Sequence, residues 1–181
     1  MVDEKLNNNS NNDNAPKSAE GFSRPRFKKN TRRPERRERV KPEFDQKIIN
    51  IRRVTRVVAG GRRFSFSVAL VAGDRKGRVG VGLGKAGDTS LAIDKALRDA
   101  KKHMHKIKIT KTKSIPHEVR AKYGSSSVFI SPAPGRGLIA GSSVRDVLEF
   151  AGITDVVSKI LTRSKNKLNN AKTAIKALSS L

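Results

Sequence analysis

The sequence contains no cysteine and no tryptophan, and only one tyrosine and three histidines among 181 residues. Without cysteine there is no disulfide framework, no thiolate metal site and no cysteine nucleophile. Acidic side chains are scarce: 16 Asp and Glu stand against 40 Lys and Arg, a formal net charge of +24 at pH 7. No apolar run approaches the ~20 residues of a membrane span. The opening MVDEKLNNNSNNDNAPKS has no apolar stretch of the secretory type. A cytoplasmic protein is expected, with no metal and no cofactor. Binding to a lipid surface would need an amphipathic helix with bulky apolar anchors, so no membrane partner is expected either.

What is abundant is positive charge, and it is not confined to one place. Ten basic side chains crowd residues 24–41: Arg24, Arg26, Lys28, Lys29, Arg32, Arg33, Arg36, Arg37, Arg39 and Lys41. Yet 12 basic and 7 acidic residues are all that precede Phe44, so residues 44–181 retain a net +19. A folded body that repels itself this strongly needs a polyanion around it, and nucleic acid is the first candidate. Residues 1–43 read as a disordered extension, Asn-rich and then Arg/Lys-rich. Its basic half suits ordering against RNA phosphates, while its Asn-rich first twenty residues read as a solubilising tail.

Patterned sequence begins near Asp45. Residues 48–59, rich in Ile, Val, Thr and Arg, suit a strand with a charged face. Gly60-Gly61 marks a hairpin turn. Phe64, Phe66, Val68 and Leu70 then alternate with Arg63, Ser65, Ser67 and Ala69, the pattern of a half-buried strand. After a turn at residues 73–77, a third strand over 78–85 sets Val79, Val81 and Leu83 against Gly80, Gly82 and Gly84. Asp88 or Thr89 caps a helix reaching about His105, with Ala92, Ile93, Ala96, Leu97 and Ala100 as its apolar stripe. Residues 44–108 thus predict a three-stranded antiparallel sheet with one helix.

Residues 109–181 predict a small β-α-β-α two-layer domain, giving an α+β chain. Strands are expected over 119–122, 127–131 and 153–161, and helices over 143–151 and after Ser164. In the last helix Leu168, Ala171, Ile175 and Leu178 recur at helical spacing.

Several motifs invite chemistry that their surroundings deny. Gly82-Leu83-Gly84-Lys85-Ala86-Gly87 satisfies the dinucleotide pattern G-x-G-x-x-G. Its strand belongs to a meander, however, and no acidic residue stands about twenty positions on to hold a ribose. Alternate glycines instead bare one strand face so that a second backbone approaches closely, either the alanine face of the next helix or a nucleic acid. The loop PAPGRGLIAGSS is similar to the phosphate loop of small-metabolite kinases of the galactokinase–homoserine kinase type. The unit is short for a kinase, and no acidic group is placed to hold Mg²⁺ or act as base. A glycine-rich turn with Ser143 and Asp146 as a capping pair accounts for the same residues. His103, His105 and His117 do not compose a metal site, since histidines at i and i+2 of a helix point apart. No local geometry singles out a Ser–His–Asp triad. Gly60-Gly61-Arg62-Arg63 is the most functional turn: glycines admit a partner's backbone and two guanidiniums fork onto phosphates. A small sheet, a flexible basic arm, and no helix-turn-helix or zinc finger favour RNA over DNA.

In order, VTRVVAGGRRFSFSVALVAGDRKGRVGVGLGKA, AIDKALRDAKK, SSSVFISPAPGRGLIAG and VRDVLEFAGITDVVSKILTRS resemble the bacterial ribosomal small-subunit protein five family over residues 44–178. The resemblance implies a first domain related to double-stranded-RNA-binding folds without their leading helix. It implies a second domain of the superfamily shared with those kinases, so the loop similarity is a relic of fold. It further implies a non-enzymatic role in 16S rRNA binding, decoding accuracy and subunit assembly near the mRNA entrance. The implied protein partners are small-subunit proteins four and eight, with mRNA near the entrance channel. The expected rRNA contacts are Arg52, Arg53, Arg56, Gly60, Gly61, Arg62, Arg63, Arg75, Lys76, Arg78 and Lys85. The expected protein interface, linked to fidelity, lies at Gly137 and Arg145. Against the family pattern, PAPGRG is one residue short and carries Arg136 where a small residue is usual. Lys167 stands where Pro often follows Asn, which predicts a looser helix start. The alternative reading is a free-standing double-stranded-RNA-binding regulator.

Overall fold

The computed structural model describes residues 43–181. The basic cluster of residues 24–41 lies outside them. Two four-stranded sheets and three helices follow in the order β1 (Asp45–Val58), β2 (Gly61–Gly73), β3 (Arg78–Ala86), α1 (Thr89–Lys102), β4 (Met104–Lys106), β5 (Val119–Tyr123), β6 (Ser126–Pro132), β7 (Leu138–Ile139), α2 (Ser142–Ala151), β8 (Val156–Ile160) and α3 (Lys167–Ser179). The first sheet runs β1-β2-β3-β4 and the second β5-β6-β8-β7. The α+β class is borne out. The first sheet carries a fourth strand that the sequence pattern hid. The predicted helix to His105 ends at Lys102, and Met104–Lys106 pairs antiparallel with the start of β3. Three residues are too few to display a period. The second sheet likewise gains the two-residue β7, parallel to β8.

The alternate glycines of β3 have a structural use. A Cβ on Gly82 would overlap the carbonyl oxygen of Ala96 and the amide of Ala100, and one on Gly84 would meet Ala92 and Ala96 in the same way. Ala92, Ala96 and Ala100 are fully buried there. Helix α1 therefore lies backbone against backbone on the sheet, and the occupant of the bare strand face is the alanine stripe. Asp88 caps the helix, accepting from the Thr89 amide at 2.7 Å. Gly87, the last glycine of the motif, has nothing near it.

The expectation of a half-buried β2 needs correction. Burial changes along the strand, not across it. Phe64 is 48% exposed, whereas Val68, Leu70, Val71 and Ala72 are all at 0%. Leu70 and Ala72 pack with Ala96 and Ala100 of α1. Val71, Val79 and Val81 join a larger core with Val144, Val147, Leu148 and Phe150 of α2 and Ala171, Ile175 and Leu178 of α3. The second unit covers the face that a lone domain would leave to solvent. A bulge at Ile49, between the pairs Ile48–Leu70 and Asn50–Ala69, turns that side chain into the same core.

The joint between the units is also made by backbone. Arg75 and Gly77 amides donate to the carbonyls of Phe150 and Ala151, each at 3.0 Å. Gly73 and Gly152 leave no room for a Cβ against Phe150 and Arg75 respectively. The supposed capping pair of α2 does not form. Gly141 is the N-cap, without a side-chain bond. Ser143 donates instead to the Lys167 carbonyl at 2.8 Å, and Asp146 pairs with Lys47 at 2.6 Å. Helix α3 starts at Lys167 without proline, with the Asn166 side chain accepting from the Asn169 amide at 3.5 Å.

Gly82→Ala is expected to lower unfolding free energy by about 2–3 kcal/mol through overpacking, while Gly87→Ala changes it by less than about 0.5 kcal/mol. Denaturant midpoints of the two variants give the comparison; equal midpoints would remove the close-approach explanation.

Candidate nucleic-acid interface

Strands β1 and β2 run on past the core as a two-stranded ribbon. Val58 pairs with Gly61, so the loop is the two residues Ala59-Gly60, and Gly61 opens β2 at φ 132°. That conformation suits glycine, and among the described residues, chain neighbours aside, no atom lies within 4 Å of where a Cβ on Gly60 or Gly61 would be. The tip is therefore open to another molecule's backbone.

Register decides which side chains share a face. Arg52 is opposite Ser67, which is opposite Lys85, and Arg56 is directly opposite Arg63. Residues facing each other across a ladder share a side, so Arg52, Arg56, Arg63 and Lys85 occupy one face. The other face carries Arg53, paired with Phe66, and Arg62, paired with Val57. There the Arg53 guanidinium lies 4.4 Å from the centre of the Phe64 ring, and Val57 is 75% exposed. No carboxylate occurs between residues 46 and 73. Among the described residues, none of the five ribbon arginines forms an ion pair, whereas Lys47, Arg75 and Arg78 do. Like charges placed opposite, as at Arg56 and Arg63, destabilise an isolated ladder. An anion along the ribbon would reverse that sign.

The other expected contacts, Arg75, Lys76 and Arg78, lie at the far end of β2. A strand of about a dozen residues at ~3.3 Å each separates them from Arg62 by roughly 40 Å. The structure thus divides the basic set into two groups. The second group is tied to the protein. Asp74 accepts from the amides of Lys76 at 2.7 Å and Arg78 at 3.0 Å, and from Arg78 Nε at 2.7 Å. Arg75 pairs with Asp45 at 3.1 Å. Partial burial pushes the Asp74 carboxyl up, but the Arg78 guanidinium and the two amides outweigh it and hold the group below its ordinary 3.8. Gly137, at φ 69° in the loop before β7, and Arg145, exposed on α2, flank the start of that helix.

Beside the loop before α2, Asp146 is engaged by Lys47 and Ser143 by the Lys167 carbonyl. His103 and His105, expected to point apart on a helix, are its C-cap and a β4 residue, and both border one cleft with Tyr123. Sequence reasoning missed this grouping, since nothing local in a sequence signals it.

Comparison with known proteins fits this arrangement. The family model described as ribosomal protein S5, N-terminal domain, matches residues 44–108, and that of the C-terminal domain matches residues 121–181. Small ribosomal subunit protein uS5 of Nostoc punctiforme is 47% identical over 155 residues, covering 83% of this chain and 88% of its own length. That of Thermosynechococcus vestitus is 45% identical over 153 residues, covering 84% and 87%. That of Mycoplasmopsis agalactiae is 47% identical over 140 residues, covering 77% of this chain but 60% of the longer relative. These matches define an RNA-binding ribosomal protein, structural and not enzymatic. More particularly, the chain belongs to the ribosomal protein S5 family.

Asp74→Asn tests the far-end turn. The folded carboxyl titrates below the ordinary value, so its stabilisation is complete above that value and is lost as pH falls through the lowered one. The variant is expected to unfold about 1–3 kcal/mol more easily at pH 7, with the gap closing in acid, as pH falls through the lowered carboxyl value. Chemical denaturation at pH 7 and in acid measures it; a gap that persists in acid contradicts the ionic explanation.

Proposed function

We propose that the chain is a structural constituent of the cytoplasmic small ribosomal subunit that binds 16S rRNA. The observation that carries this reading is the ribbon: Arg52, Arg53, Arg56, Arg62 and Arg63 on a projecting hairpin without carboxylate partners among the described residues. Its open glycine tip lets RNA backbone approach, and guanidiniums on both faces grip phosphates on either side. Lys85 extends one face, and Arg75, Lys76 and Arg78 form a second contact at the other end of the sheet. The basic residues 24–41 extend the grip. Gly137 and Arg145 serve the interface with small-subunit protein four, a second protein contact is made with protein eight, and the assembled protein lies near the mRNA entrance, where it supports assembly and decoding accuracy. Family membership supports these finer assignments.

The Arg62→Ala, Arg63→Ala double variant is expected to bind small-subunit RNA more weakly. Its plot of log affinity against log salt should be shallower by about 0.7–0.9 for each phosphate that is no longer neutralised. An unchanged slope would sink the assignment of these two residues. Co-sedimentation with small subunits in high salt separates a subunit component from a freely exchanging RNA-binding regulator, which would wash off.

A further inference from the structure

A cleft of about 330 Å³ opens between the two units, away from the ribbon. Val81 of β3 and Ile175 of α3 contribute apolar walls. Around them stand Asp99 and His103 from the end of α1, His105 of β4, Tyr123 of β5, and Lys172 and Lys176 of α3. The volume falls within the range of about 300–1,000 Å³ usual for small-ligand sites.

The charges in this cleft are not balanced against one another. Asp99, the single carboxylate of the lining, is already engaged: Oδ2 accepts from the Leu83 amide at 2.9 Å, and Oδ1 lies 3.3 Å from His103 Nδ1. Lys176 Nζ donates to the Lys122 carbonyl at 3.2 Å, a neutral acceptor that leaves its charge uncompensated. Among the described residues, Lys172 Nζ has only the face of the Tyr123 ring, 5.6 Å from its centre. Tyr123 is 41% exposed. An ammonium resting on an aromatic face is a modest interaction where water reaches it, and a phosphate would displace it.

We propose that this cleft receives a single unpaired nucleotide of an RNA strand, its base stacked on Tyr123 and its phosphate between Lys172 and Lys176. The site is separate from the ribbon; the inference rests on the RNA-binding reading but not on Arg62 or Arg63. The dimensions favour one splayed-out nucleotide over a duplex, which presents no free base face. Pairing an aromatic ring with two ammonium groups suits a nucleotide better than an acidic peptide, which offers charge without a π face.

The sequence supplies its own probe. With no tryptophan and one tyrosine, tyrosine fluorescence of the full chain reports on this cleft alone. A short single-stranded oligouridylate is expected to quench it saturably. Lys172→Ala with Lys176→Ala should weaken that titration about fivefold or more, while Arg62→Ala with Arg63→Ala leaves it within about twofold, consistent with one stacked base and its phosphate. In the Arg62→Ala, Arg63→Ala background, labelled oligouridylate should bind a Tyr123→Phe variant normally and a Tyr123→Leu variant at least about fivefold more weakly. Absence of quenching overturns the proposal, as do equal affinities for the Phe and Leu variants. Equally strong quenching by polyglutamate, with competition between the two, would instead identify an acidic protein segment as the occupant. Quenching that survives while the salt slope of the ribbon variant is unchanged would sink the ribbon assignment and leave the cleft standing.

Discussion

Close approach of backbone to backbone at glycine is the constraint on which the rest of the structure depends. Three glycines on one face of β3 let the alanine face of α1 lie almost on the sheet. Two more, Gly73 and Gly152, bring the end of α2 equally close to the β2–β3 turn. With few aromatic residues to fill space, the protein closes its interior by removing side chains at the contact instead of adding bulk. A helix seated this closely fixes β3, and β3 fixes the inner half of β2. The outer half then leaves the body as a two-stranded ribbon whose inner half is clamped on both faces. A single methyl group at Gly82 would therefore be felt through a chain of contacts that ends at Arg62 and Arg63.

The ribbon inverts the logic of the interior. Inside, the apolar side chains of the central strands are matched by apolar neighbours from all three helices. Outside, five arginines stand without a carboxylate partner among the described residues, two of them directly opposed across the ladder. Self-repulsion of this kind lowers the stability of the free protein and raises its affinity for any polyanion, since binding both relieves the repulsion and releases counterions. The other basic residues follow a different rule. Lys47, Arg75 and Arg78 are each held by an aspartate near the joint between the two units, and Arg78 also lies 5.2 Å from the centre of the Phe44 ring. Their charge serves the fold as well as any partner.

This difference marks how far the sequence could be read. The glycine–valine alternation of β3, the Asp88 cap and the alanine stripe were legible because each is a local signal with one geometric solution. The hairpin was legible too, shifted by one residue: its loop is Ala59-Gly60, and Gly61 already belongs to β2. Burial on both faces of β2 was not legible, because it is produced by α2 and α3, which lie far away in sequence. Nor was β4, whose three residues gain strand geometry only from pairing with β3. Ser143 and Asp146 had the spacing of a cap, but tertiary partners, the Lys167 carbonyl and Lys47, took both groups. The pair His103 and His105 was misread for a related reason: the helix ended one turn early, and two residues expected to diverge came to border one cleft.

The distribution of charge also ranks the basic elements. Residues 24–41 form the densest cluster in the sequence, yet density alone gives attraction without register. Affinity from phosphate neutralisation grows with the number of charges, whereas orientation requires that the charges be fixed relative to one another. The ribbon meets the second condition: ladder pairing sets the spacing of Arg52, Arg56 and Arg63 on one face and of Arg53 and Arg62 on the other. Pairing of β1 with β2 fixes the backbone beneath these arginines in folding, so that conformational cost is not left to the binding step. On the proposed reading, the folded body, with the net +19 of residues 44–181, is the element that would set how the protein sits on RNA.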